Sequence, residues 1–305
     1  MKGKLTMNKT LKIAFLGGDR RQHTAAVCLS DGEWDIYVWG QDCPNGEKLI
    51  FCDDLQSAID GARAVVLPLP TSIDGTFLNC RADACDKKIA LLELADAISP
   101  TSTVIGGKIP AAFCDRVLSR GIRCYDYFGS EAFQIKNAYT TAEAALFIAM
   151  EKLPKNICGA EFAIMGYGRI AKPLTRLLLS MGARVTVCAR RESDLVWAEL
   201  AGAKTKLLRE HDRSVIDSLA SGYDVIYNTV PSWLFDEKFL KRADPHTLMI
   251  ELASAPGGID VSAAKRLHSN VLWAASLPGK YAPQSAGELI GECVRALIER
   301  KDGEL

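Results

Sequence analysis

The stretch Ile164-Met165-Gly166-Tyr167-Gly168-Arg169-Ile170-Ala171 runs from an apolar segment through G-x-G-x-x-A into a helical pattern. Glycine at 166 permits a tight turn, and glycine at 168 lets a pyrophosphate approach the backbone at a helix N-terminus. Ala171 keeps helix and strand close. About twenty residues further on, where a site for a ribose diol usually carries Asp or Glu, the chain has Arg190 and Arg191. Two guanidinium groups suit a 2′-phosphate. The turn therefore predicts a site for NADP rather than NAD, with Gly166, Tyr167, Gly168, Arg169, Ile170, Arg190 and Arg191 as contacts.

In open α/β sheets ligands bind beyond the carboxyl ends of the strands. Three segments following predicted strands are rich in small residues and proline: Asn228-Thr229-Val230-Pro231-Ser232, Glu251 to Asp260, and Leu277-Pro278-Gly279-Lys280-Tyr281-Ala282-Pro283. Asn228, Thr229, Val230 and Pro231 are expected at the cofactor, with Thr229, Ser232 and Ser254 framing its nicotinamide. The last of the three segments reads as a loop before a final helix. Near the N-terminus, Asp19-Arg20-Arg21-Gln22 follows the first strand. Cations at a helix N-terminus oppose the dipole, which points to an anionic substrate there. Arg21 and Lys280 are the expected carboxylate partners, and Arg21, Lys280 and Ser254 the candidate catalytic set.

An alcohol oxidation needs a general base near neutral pH, and the segment around Lys280 contains no histidine. Aromatising a partly unsaturated nitrogen ring asks less of the protein. It needs mainly to hold the ring against the nicotinamide.

These groups need a scaffold, and the pattern supplies one. Leu11 to Leu16, Trp34–Trp39, Ala64 to Leu69, Thr103 to Ile105 and Arg123 to Tyr127 read as strands separated by helices. So do Glu161–Met165, Ala183 to Cys188, Asp224 to Asn228, Leu248 to Leu252 and Val271 to Ala274. Strands alternating with helices argue for parallel sheets covered on both faces. A helix is expected over Thr141–Lys152, another over Arg169 to Met181, and a last one over Pro283–Glu299.

The predicted fold is α/β. A flavodoxin-like parallel-sheet domain on the substrate side (1–137), lacking a second glycine fingerprint, is followed by an interdomain helix (138–155). A Rossmann domain follows (156–280), and the C-terminal helix (281–305) packs back on the first domain.

At 305 residues, with zero formal net charge and 48% hydrophobic residues, the chain is expected to be globular and cytoplasmic. It has no basic stripe for nucleic acid, no apolar run long enough for a membrane span, and no signal-peptide pattern. Ten cysteines without C-x-x-C, and only four histidines, favour buried reduced thiols over a metal site.

Several of these motifs, in this order and spacing, resemble the family formed by the A subunit of dipicolinate synthase. They are Lys12 to Asp19 with Arg21-Gln22, Val66-Leu67-Pro68, Asn137 with Thr141 and Glu143, and Gly166-Tyr167-Gly168-Arg169. Asn228 to Ser232, Leu252 to Gly258, and Leu277 to Pro283 with Ala286-Gly287 complete them. The resemblance covers about Leu11 to Leu297. It implies NADP-linked oxidation of a dihydrodipicolinate-type lysine-pathway intermediate to dipicolinate, in the mother cell of a sporulating bacterium. The partners it implies are a small dicarboxylate substrate and the flavoprotein-like B subunit of dipicolinate synthase; a homo-oligomer is also expected. Two alternatives stand beside it: a non-catalytic NADP-binding scaffold of the same complex, and a hydroxyacid or shikimate-type dehydrogenase.

Overall fold

The computed structural model describes residues 11–41, 48–81, 88–210 and 212–299. Its contacts divide the chain into two units, Met1–Gln134 with Pro283–Leu305, and Ile135–Ala282. The first unit runs β1 (Leu11–Leu16), α1 (Arg20–Leu29), β2 (Trp34–Trp39), β3 (Ile50–Phe51), α2 (Leu55–Ile59) and β4 (Ala64–Val66). It continues through α3 (Leu91–Ala97), β5 (Thr103–Gly106), α4 (Ala111–Ser119) and β6 (Arg123–Asp126). Helix α5 (Glu131–Lys152) leads into the second unit.

There the order is β7 (Glu161–Met165), α6 (Ala171–Ser180), β8 (Arg184–Ala189), α7 (Glu192–Leu200), β9 (Lys204–Leu207) and α8 (Ser214–Asp217). It goes on through β10 (Val225–Asn228), α9 (Glu237–Leu240), β11 (Leu248–Glu251), α10 (Val261–Arg266), β12 (Val271–Trp273) and α11 (Leu277–Tyr281). The last helix, α12 (Pro283–Glu299), returns to the first unit.

Both sheets are parallel. The second has order β12-β11-β10-β7-β8-β9, the doubly wound dinucleotide-binding order, with its reversal between β7 and β10. The first has order β3-β2-β1-β4-β5-β6. This is the same six-strand order; without the two-residue edge β3 its five longer strands, β2-β1-β4-β5-β6, have the flavodoxin-like order. Both faces of each sheet are covered. In β7, Phe162 and Ile164 enter one apolar cluster while Ala163 and Met165 enter another. In β1, Ile13 and Phe15 face one side, and Ala14 and Leu16 the other. This is the period-two alternation of a strand buried twice.

Helix α12 packs on α1 as expected. Leu289, Ile290 and Val294 join the cluster holding Ala25, Ala26 and Leu29. The seam depends on two glycines: a Cβ at Gly287 would overlap Thr24 Cβ, and one at Gly291 would lie 3.0 Å from Cys28 Cβ.

Some boundaries differ from those expected. Helix α5 begins at Glu131, ten residues ahead of Thr141, because Phe133 and Ala138 already bury an apolar face there. Strand β4 stops at Val66 rather than Leu69, since Pro68 and Pro70 have no N–H for the ladder. The segment 277–281, read as a loop, is the helix α11, entered through Ser276 at φ 57° with Pro278 in its first turn. Two short strands, β3 and β9, escape the alternation pattern altogether.

Among the described residues seven cysteines are free thiols, including buried Cys188 and exposed Cys158. Cys80 departs from the expectation of reduced thiols, being disulfide-bonded. Among the described residues no helix is long and apolar enough to cross a membrane, and no group of three or more His, Cys, Asp or Glu is placed to hold a metal.

Candidate functional site: the carboxyl edge of the second sheet

Gly166 closes β7 with φ 88° and donates its amide to the Cys188 carbonyl at 2.8 Å. A Cβ there would meet Thr229 Oγ1 and Val230 Cγ2, each at 2.8 Å. Glycine is thus required twice, by the dihedral and by the loop packed on it. At Gly168 the requirement is different: a Cβ would meet nothing within 4 Å. The amides of Gly168 and Ile170 donate to no acceptor among the described residues. They stand at the start of the ten-residue helix α6, where the dipole adds to their attraction for an anion.

Around this turn lies a cavity of about 800 Å³ lined by Gly166, Tyr167, Gly168, Arg190, Arg191 and Thr229 to Ser232, among others. The remaining lining comes from Ala189, Asp194, Leu208 to Glu210, Asp212, Arg213, Ile216 and Leu234. It sits beyond β7, β8, β9 and β10, at the point where the strand order reverses. Tyr167 is 7% exposed, and burial, then the charge of Asp194, raises its hydroxyl pKa. Behind the arginines, burial pushes the Cys188 thiol up to about 12 against the opposing pull of Lys206, leaving it inert at neutral pH.

The two arginines at the end of β8 differ. Arg191 is engaged by Asp194, Nε to Oδ2 at 2.8 Å. Arg190 is exposed and forms no ion pair or hydrogen bond among the described residues. A dinucleotide fits this donor set: amides without protein acceptors for the pyrophosphate and an exposed cation at the ribose strand.

A buried carboxylate organises the loop across the turn. Glu251, 0% exposed at the end of β11, accepts from Asn228 Nδ2 at 2.8 and 2.9 Å. It also accepts from the amides of Ala253 (2.9 Å), Gly258 (2.8 Å) and Ile259 (3.1 Å). Asn228 Nδ2 donates as well to the Val230 carbonyl at 2.9 Å. Asn228 is therefore not a lining residue. It shapes the Thr229 to Pro231 segment from inside. Thr229 Oγ1 donates to the Met165 carbonyl at 2.6 Å, which fixes that segment to the glycine turn. Arg169, Ile170, Ser254 and Lys280 do not line the cavity either; Ser254 and Lys280 are exposed after β11 and on α11.

The structure revises the reading of Arg21. It is 7% exposed, and its fork holds the chain's own Asp19: Nε lies 3.0 and 3.1 Å from the two carboxylate oxygens, and Nη2 2.8 Å from Oδ2. Nη2 also reaches the Leu69 carbonyl at 2.5 Å. The carboxylate this arginine suits is already supplied, two residues away. The same unit's glycine turn is closed to phosphate. Gly17 and Gly18 donate to the carbonyls of Trp39 and Asn79, and Asp19 caps the Arg21 amide.

Arg209, Arg213 and Asp194 also line the cavity and belong to no motif in the sequence. Their signal is weak, because β9 is four residues long with a Lys-Thr-Lys-Leu sequence, and nothing local marks it as a strand.

Residues 12–128 match the family model described as the N-terminal domain of the dipicolinate synthase A subunit. The chain is 27% identical over 301 residues to the dipicolinate synthase A subunit of Bacillus subtilis (strain 168), covering 96% of this chain and 98% of that one. Its structure is similar to that of the dipicolinate synthase A subunit from Bacillus halodurans. The TM-score is 0.84 at 23% identity, over 96% of this chain and 99% of the other. More distantly it shares its fold with D-lactate dehydrogenase from Escherichia coli, with TM-score 0.57 at 12% identity over 95% and 98% of the two chains. The resemblance read from the motifs thus extends along the whole chain, and the two-sheet fold is one that dehydrogenases use.

Proposed function

We propose that this chain is the NADP-binding oxidoreductase component of a dipicolinate-forming complex, oxidising a dihydrodipicolinate-type intermediate to dipicolinate. The observation that carries the reading is the start of α6. The Gly168 amide, without a protein acceptor among the described residues, stands in the lining of a cavity whose β8 rim presents the unengaged Arg190, and the Ile170 amide, likewise without one, follows it at the helix start. The pyrophosphate is held by those amides and the 2′-phosphate by Arg190. The Thr229 to Pro231 segment, fixed by Asn228 and Glu251, walls the cavity beside the turn and positions the nicotinamide. Bound NADP supplies a hydride acceptor at C4 of its ring. The chain's own task is to exclude water and hold the substrate ring against that carbon. Exposed Lys280 and Ser254 are the substrate-side groups of this reading, Lys280 as the partner of a carboxylate.

The named relatives are subunits, which supports a second chain in the active complex; in this reading that chain is the flavoprotein-like B subunit. The reading also places the protein in the cytoplasm of a sporulating mother cell.

Two measurements test it. Arg190→Asp is expected to weaken NADPH binding about tenfold or more while leaving NADH binding nearly unchanged; equal loss for both would sink the 2′-phosphate assignment. Single-turnover absorbance at the nicotinamide band, with substrate and both component chains, is expected to show NADP reduction. If no reduction appears in the complex, the chain is a cofactor-binding scaffold instead.

A further inference from the structure

Arg190 is not the only unengaged cation on this rim. Strands β8 and β9 are neighbours in parallel register, with Ala189 opposite Leu207, and the Leu208 amide donates to the Ala189 carbonyl at 2.8 Å. Arg190 follows the first strand by one residue, and Arg209 follows the second by two. The ladder holds the two backbones one strand spacing apart, about 4.8 Å. Both side chains line the same cavity and both residues are exposed.

Of the three acids lining the cavity, Asp194 and Asp212 are engaged within the protein, and Glu210 follows Arg209 in the chain. Asp194 holds Arg191. Asp212 accepts from the Ser214 amide at 2.9 Å; the Ser214 hydrogen bonds, more than the charge of Arg209, hold its carboxyl below the usual range. Arg213, the fourth arginine of the lining, is bound to the Leu234 carbonyl at 3.1 Å and lies 3.4 Å from Asp236. Arg209 has no ion pair or hydrogen bond among the described residues. Two cations on adjacent strands repel each other unless an anion lies between them. A single charge on that rim would suffice for solvation; a pair at adjacent strand exits, lining one cavity, suits a dianion.

We infer that Arg209 is a specificity-determining residue, closing with Arg190 a two-arginine clamp on a phosphate monoester carried by the ribose of the bound dinucleotide. The inference rests on the proposed NADP reading and adds a residue from a different strand to it. Arg190 reaches the phosphate from β8 and Arg209 from the β9 side. The β9 exit loop thereby becomes the element that separates the phosphorylated from the unphosphorylated cofactor.

The test compares NADPH and NADH affinities of the full-length chain by nicotinamide fluorescence, for wild type, Arg190→Asp, Arg209→Ala and Arg209→Lys. Arg209→Ala is expected to weaken NADPH about tenfold or more and to leave NADH within about twofold, with Arg209→Lys recovering part of the loss. Loss of NADPH affinity in Arg190→Asp with none in Arg209→Ala overturns the clamp and leaves the NADP reading standing. Equal weakening of both cofactors by Arg209→Ala also overturns it, since the residue would then act on the shared part of the dinucleotide. A wild-type chain that binds NADH as tightly as NADPH overturns the NADP reading and the clamp with it.

Discussion

Gly166 and Gly168 stand two residues apart and answer to different forces. At Gly166 a side chain is forbidden by the protein itself, through φ 88° and the 2.8 Å approach of Thr229. At Gly168 the protein leaves room, and glycine serves whatever approaches from the cavity. Gly166→Ala is therefore expected to lower stability by about 1–3 kcal/mol and to lose cofactor affinity as well. Gly168→Ala is expected to unfold at the wild-type urea concentration while binding NADPH at least several-fold more weakly. Fluorescence titration beside a urea melt separates the two, and an unchanged NADPH affinity in Gly168→Ala would remove this residue from the cofactor. Glu251 shows the opposite arrangement at the same scale. It is a buried carboxylate with no ion pair among the described residues, balanced by three backbone amides and the Asn228 side chain. Buried charge is tolerated when its lone pairs are occupied this way.

Among the elements, the α1–α12 seam is the most sensitive to a small change. Two helices far apart in sequence approach closely because Gly287 faces Thr24 and Gly291 faces Cys28. A methyl at 287 would also come within 2.6 Å of the Arg21 carbonyl oxygen. Gly287→Ala must push the helices apart and is expected to destabilise the first unit by about 1–3 kcal/mol. Chemical unfolding monitored through Trp34, which packs against that cluster, provides the measurement. A variant with the wild-type midpoint would mean that the seam relaxes without cost. The β9 exit loop is the second informative element, because a four-residue edge strand carries two of the cavity's arginines in its wake.

The whole molecule is built from one continuous unit and one interrupted one. The second unit, Ile135–Ala282, has its own clusters on both sheet faces and the entire cavity. A fragment of residues 131–282 is accordingly expected to unfold cooperatively and to bind NADPH with near wild-type affinity. A chain ending at 282 is expected to lose the ordered first unit, since Leu289, Ile290 and Val294 would be missing from its core. Circular dichroism and cofactor titration of the two truncated proteins check this. A fragment 131–282 that folds and fails to bind would show that the first unit contributes directly to the cofactor site.

Features that depend on short spacing are legible along the chain. Glycine dihedrals, strand alternation and helix periodicity are local, so the turn at Gly166, both parallel sheets, the returning helix α12 and the rim arginine Arg190 could all be read from neighbouring residues. At the first strand's exit the same local pattern set an arginine beside a carboxylate and suggested a ligand for it, although Asp19 already fills that part. Which residues share a cavity is a different matter, settled by tertiary structure. Arg209 shares a cavity with Arg190 because β9 lies against β8 in one particular register. Glu251 reaches Asn228, Gly258 and Ile259 because β10 and β11 are neighbours and the chain doubles back. Strand order and register are set by the burial of both sheet faces across the whole unit. No run of neighbouring residues contains that information.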